Sequence, residues 1–215
     1  VSEWCGGGAL HELLSTHGPL PPHVALRMGT ELADGLAAAH EAGVLHRDLT
    51  DASVQFTDDG HAKLTGFGVS SLDGGQATAA LSFTPVHTAP EVIEGKEPDE
   101  ATDVYQLASV IYTAIAGTPP FGSKEEGTAT VLGRILTTSA PPLEHPDLPP
   151  GVNEILSTAM SRAREDRYGS ARQFADALAG VTAGGSDPTP APAPAAETPP
   201  PTPAPAPAPP PAPAP

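Results

Sequence analysis

The spacing of apolar residues changes several times along the chain, and each change marks an element. From His23 to Ala42, the residues Ala25, Met28, Leu32, Leu36 and Ala39 recur at intervals of three and four. That period predicts an amphipathic helix, with Gly43 as its left-handed cap. Ahead of it, "VSEWCGGGALHELLSTHGPLPP" reads as a strand end, a glycine loop, a short helix over Ala9–Thr16 and a Gly-Pro turn. The period then drops to two: Val54 and Phe56 alternate, Asp59-Gly60 turns the chain, and Ala62 and Leu64 alternate on the return. This predicts a β-hairpin. Residues 70–89 form an irregular Ser/Thr/Gly-rich segment, and the rest is helical. Asp103–Gly117 reads as an apolar helix closed by Gly117 and two prolines, and Val152–Arg162 and Ala171–Leu178 as shorter amphipathic helices. The predicted class is α+β, mainly helical, with one small hairpin and no internal repeat.

Composition divides the chain. From about Ser186 onward it is almost entirely Pro, Ala and Thr. Such sequence has no apolar period and few backbone donors, so it is expected to be an extended, polyproline-like tether. Residues 181–215 are therefore read as a disordered Pro/Ala-rich linker and residues 1–180 as the globular part, long enough for a sizeable core. All ten Lys and Arg lie in that part, yet the formal net charge is −16. An acidic surface argues against nucleic acid or an anionic membrane as the main partner. The lone Cys5 excludes an internal disulfide and fits a reducing cytoplasmic compartment. No run approaches the ~18 apolar residues of a membrane span. The opening in mid-motif without a methionine, and the end inside the proline tract, read as an excerpt of a larger protein.

The chemistry lies around the hairpin. His46-Arg47-Asp48 precedes it and Gly66-Phe67-Gly68 follows; then come Ala89-Pro90-Glu91, Asp103 opening a hydrophobic helix, and Arg167. In this order and spacing the pieces resemble the catalytic loop, metal-binding loop, activation-segment end, central helix and late arginine of protein kinases. The wording "GVLHRDL", "DVYQLASVIYTAIAGTPPF" and "REDRYGSARQFADAL" resembles the actinobacterial serine/threonine group. The resemblance runs from Val1 to about Gly180. It implies a kinase C-lobe without its N-lobe, which starts at the hinge, where the backbone from Glu3 to Cys5 would receive adenine and Gln55 would lie beneath it.

The same resemblance exposes departures. Kinases hold their metal ions with the Asp of D-F-G and an Asn five residues after the catalytic Asp. Here those positions are Gly66 and Ser53, and the lysine expected two residues after the catalytic Asp is Thr50. Asp48, the position of the base that accepts the hydroxyl proton, is retained. Hard cations such as Mg2+ require oxygen ligands, carboxylates above all, and the D-F-G carboxylate has gone. The expected cofactor content is therefore none, with ATP and Mg2+ only if an active-kinase reading holds. His46, Phe67, Glu91, Asp103 and Arg167 read as scaffold: a stack, an anchor for the catalytic loop and a buried ion pair. Arg47 in this family receives an activation-segment phosphate, for which Thr78 in "TAALSFTP" is the candidate; Thr78 reads equally as an ordinary loop residue. Cys5 has no neighbouring base and reads as packing, His11, His17 and His23 as surface. Arg162, Arg164, Arg167 and Arg172 read as a solvated helix face.

The expectation is a pseudokinase module, phosphorylated by an upstream active kinase and displayed to a phosphothreonine-binding domain. It would be cytoplasmic, or the cytosolic part of a membrane-anchored protein, with no membrane contact by this segment itself. The rival is a fragment of a divergent active kinase, which transfers the ATP γ-phosphate with Asp48 as base and Ser53 as a makeshift ligand.

Overall fold

The structure, a computed structural model, describes residues 6–67, 85–123 and 125–182. In chain order the helices are α1 (Leu10–His17), α2 (Pro22–Glu41), α3 (Pro90–Ile93), α4 (Glu100–Ala116), α5 (Thr128–Thr137), α6 (Val152–Ala159) and α7 (Ala171–Thr182). One antiparallel pair, β1 (Val54–Phe56) and β2 (Ala62–Leu64), lies between α2 and α3. The class is the predicted one, mainly helical with a hairpin.

The core forms around α4. Every residue from Thr102 to Ile115 is buried, as expected of a helix that is apolar on nearly all sides. Its start is fixed by a reciprocal cap. The Asp99 carboxylate accepts from the Thr102 N–H at 3.1 Å, and the Thr102 hydroxyl accepts from the Asp99 N–H at 3.1 Å. This cap places the first turn at Glu100, three residues ahead of the sequence expectation. Gly117, at φ +76°, closes the helix as predicted. Across α4 runs α2, which also packs on α7. At Gly29 a Cβ would lie 2.6 Å from Ile111 Cδ1, so the α2–α4 approach depends on a missing side chain.

The hairpin pairs Val54 with Leu64, Gln55 with Lys63 and Phe56 with Ala62. The glycine loop runs along the other edge of β1. Gly7 N–H donates to the Phe56 carbonyl at 2.9 Å, Phe56 N–H donates to Gly8 at 2.9 Å, and Ala9 bridges Gln55. A Cβ on Gly7 would fall 2.6 Å from the Thr57 carbonyl, which explains glycine at this position. The outer edge of β2 is tied to α2, because Glu31 accepts from the Ala62 N–H at 2.8 Å.

Further expectations change, and α7 runs on to Thr182 rather than ending at Leu178. Helix α6 ends at Ala159 rather than Arg162: the Ser161 N–H donates to Thr158 at 3.1 Å instead of to Ser157, and the carbonyls of Ser161 and Arg162 beyond accept from Arg167 at 2.7 and 3.2 Å. The four arginines do not share a helix face. Arg167 is buried, Arg164 sits in a 3-10 turn against Asp99 at 2.5 Å, and Arg172 on α7 pairs with Asp34.

Candidate functional site

The loop from His46 to Ser53 has no regular structure until a 3-10 turn at Asp51–Ser53, so other elements must fix its backbone. Helix α4 supplies the ties. The Asp103 carboxylate, fully buried, accepts from the His46 N–H at 2.8 Å and the Arg47 N–H at 2.7 Å. It also accepts from His40 Nε2 at 2.8 Å, so α2 is joined to the same point. One turn along α4, Gln106 accepts from the Leu49 N–H at 3.1 Å and donates to the Arg47 carbonyl at 3.3 Å. Between these ties Arg47 adopts φ +72°, the only non-glycine residue with positive φ among those described. A bulky residue is strained there and persists only where its surroundings fix it.

Asp48 follows and is exposed. Its carbonyl accepts the Ser53 hydroxyl at 3.2 Å, and the same hydroxyl accepts from the Thr50 N–H at 3.2 Å. The Ser53 carbonyl in turn accepts the Thr65 N–H at 2.9 Å, which ties the loop to the chain leaving β2. Thr50 is buried, with its hydroxyl 3.4 Å from that of Ser53. Gln55 is half-buried on β1. Gly66 has φ +86°, and apart from its chain neighbours no atom of the described residues lies within 4 Å of the place a Cβ would take. Phe67 stacks at a tilt on His46 with ring centroids 4.8 Å apart, and His46 Nε2 donates to the Thr65 carbonyl at 3.0 Å.

Mg2+ can be tested against this loop directly. Gly66 offers no side-chain ligand, and the Ser53 hydroxyl has already committed its proton to Asp48 and a lone pair to Thr50. Neither expected ligand position carries a carboxylate, and a hard cation needs several oxygen ligands. The residues present do not fit the metal.

Below the loop, Glu91 and Arg167 form a bidentate pair, both contacts at 2.8 Å. The remaining guanidinium hydrogens go to Ala101, Ser161 and Arg162, so all five donors are used. Thr102 donates to Glu91 at 2.7 Å, and the guanidinium lies over the Tyr105 ring at 4.8 Å. Burial alone would raise the Glu91 carboxyl. The hydrogen bonds and charge of Arg167 outweigh it and, with Thr102, hold the carboxyl below its ordinary value.

The structure thus gathers His46, Arg47, Asp48, Thr50, Ser53, Phe67 and Asp103 at one place, with Glu91 and Arg167 beneath α4. Glu3, Cys5 and Thr78 lie outside the described residues. Sequence reasoning missed Gln106 and His40. Their signal was present: Gln106 is three residues from Asp103 on an apolar helix, and His40 continues the buried period of α2 after Leu36.

Comparison with known proteins agrees with this arrangement. The family model described as protein kinase domain matches residues 1–177. Serine/threonine-protein kinase PknK of Mycobacterium tuberculosis is 35% identical over 176 residues, covering 80% of this chain and 16% of PknK. Serine/threonine-protein kinase PknA of the same species is 35% identical over 191 residues, covering 87% of this chain and 44% of PknA. PknL is 31% identical over 176 residues, covering 80% of this chain and 44% of PknL. The chain therefore spans less than half the length of each of these relatives. From its central helix, its anchored His-Arg-Asp loop and these matches, the chain belongs to the protein kinase family, in its bacterial serine/threonine branch.

Proposed function

We propose that this chain acts as a catalytically inactive, kinase-like module for docking or regulation. The observation that carries the reading is the pair Gly66 and Ser53: the first has no side chain, and the hydroxyl of the second is already engaged by Asp48 and Thr50 of its own loop. Phosphoryl transfer relies on positioning and charge neutralisation, much of it by metal ions. Loss of one such stabilising group costs about 3–4 kcal/mol in the transition state. Here the metal carboxylate and the lysine replaced by Thr50 are both gone. The proposed setting is cytoplasmic, or the cytosolic side of a membrane-anchored protein, with residues 183–215 as a tether, since α7 takes in residues 181 and 182 of the expected linker. Among the described residues, no helix is long and apolar enough to cross a membrane.

The module would be switched by phosphate. A phosphate on Thr78 would be received by Arg47, whose side chain is exposed, or displayed to a phosphothreonine-binding partner domain. Mass spectrometry after incubation with an active bacterial serine/threonine kinase tests this. Modification at Thr78 is expected, and an unmodified segment would remove the phosphate switch.

One observation favours the rival, an active but divergent kinase that uses ATP and a metal: the backbone that presents Asp48 is pinned on both sides. Calorimetric titration of ATP, with and without Mg2+ or Mn2+, into the longest form of the protein that carries this chain separates the two. The inactive reading expects no metal-dependent binding.

A further inference from the structure

We infer that Gln106 is a positioning residue whose side-chain amide clamps the backbone on both sides of Asp48. The inference rests on reading residues 46–53 as the loop that presents Arg47 and Asp48. Three observations carry it. The amide straddles Asp48, accepting from the N–H after it and donating to the carbonyl before it. Both ends of the amide are used in their proper sense, so its orientation is fixed by the bonds themselves. Gln106 is also 4% exposed in a helix otherwise rich in apolar residues, where an unpaired amide would be costly.

The geometry gives the clamp a task. Asp103 and Gln106 lie three residues apart on α4, so their side chains emerge on one face. Together they hold four backbone groups of residues 46, 47 and 49. Asp103 holds only N–H groups on the His46 side, and that leaves the peptide after Arg47 free to rotate. Gln106 fixes that peptide through its carbonyl and then fixes Leu49 beyond Asp48. The left-handed Arg47 is thereby bounded on both sides, by Asp103 at its N–H and by Gln106 at its carbonyl. Ser53 adds a third tie, to the Asp48 carbonyl. The backbone that presents Asp48 and Arg47 is then held by side chains of this chain.

Amide hydrogen exchange and backbone carbon shifts by NMR test the clamp on the full 215-residue chain. In Gln106→Leu, exchange at Leu49 is expected to quicken roughly tenfold or more, and the Arg47 shifts to leave their left-handed values, while Ala62, held by Glu31, keeps its protection. Gln106→Glu is the second variant. Its protonated carboxyl has one acceptor and one donor, as the amide does, so at about pH 5.5 it restores Leu49 protection and the Arg47 shifts if burial keeps its proton. Unchanged Leu49 exchange and Arg47 shifts in Gln106→Leu would overturn the inference. If that variant also loses Ala62 protection, the acid form of Gln106→Glu decides: protected Ala62 with unprotected Leu49 contradicts the clamp. Titration with inorganic phosphate, read at the Arg47 guanidinium, separates this from the functional reading. A clamp present without phosphate binding upholds Gln106 and removes only the phosphate-receiving role of Arg47.

Discussion

Glu91 shows how a single side chain makes the fold depend on pH. Its carboxyl is held below its ordinary value of 4.5 by Arg167, against the opposing effect of burial. A group with a depressed folded value contributes stability that is fully present above its unfolded value, and loses it as pH falls through the folded one. Stability should therefore drop with acid from about pH 4.5 downward. In Glu91→Gln that part of the acid dependence should vanish, and at neutral pH the variant should be less stable by about 3–5 kcal/mol, since Arg167 is left buried without its carboxylate. Denaturant titrations of both proteins across this range measure the two effects. An acid profile unchanged in Glu91→Gln would contradict the account of the pair. Arg47 and Gly66 illustrate a different residue-scale effect, because both have positive φ but only Gly66 does so without a steric cost.

Among the elements, those with a clean period were legible. Helix α2 and the hairpin come from spacing and turn residues, and Gly43, Gly60 and Gly117 take the left-handed conformations their places required. Helix α4 was legible in its body but not at its start, because Asp99 and Thr102 cap each other from positions the apolar pattern does not reach. Asp99→Ala should remove this cap and the partner of Arg164, lowering stability by about 1–2 kcal/mol in a thermal or denaturant melt. Wild-type stability in that variant would show that the cap does not set the helix start. Helix α3 was hidden by its four-residue length, and α5 by a sequence in which Val131 and Ile135 alone are buried. The end of α6 was hidden for another reason: its last turn tightens at Thr158, and the apolar pattern carries no mark of that or of the loop carbonyls that accept from Arg167. At the site, the motif residues were legible from their order. The ties of Gln106 and His40 were not, since nothing in a sequence tells which backbone group a buried amide or imidazole will meet.

For the molecule as a whole, the proposed function divides the parts into a frame that is kept and a reaction centre that departs from the kinase pattern. Asp103, Gln106 and Ser53 hold the loop, and Glu91 with Arg167 holds the segment after it to the helical core. Each of these contacts joins one protein group to another. Under the proposed function, the departures from the kinase pattern that matter are Gly66 and Thr50. Gly66 offers a direct experiment, because no described residue beyond its chain neighbours crowds the place a side chain would take, and Asp tolerates a left-handed backbone better than most residues. The decisive measurement is calorimetric ATP titration in Mn2+, comparing the wild-type protein in its longest form with Gly66→Asp. The account predicts no metal-dependent binding by the wild type and a gain of it in the variant. Metal-dependent binding by the wild type, unaffected by the substitution, would contradict the inactive reading and return the chain to the active kinases.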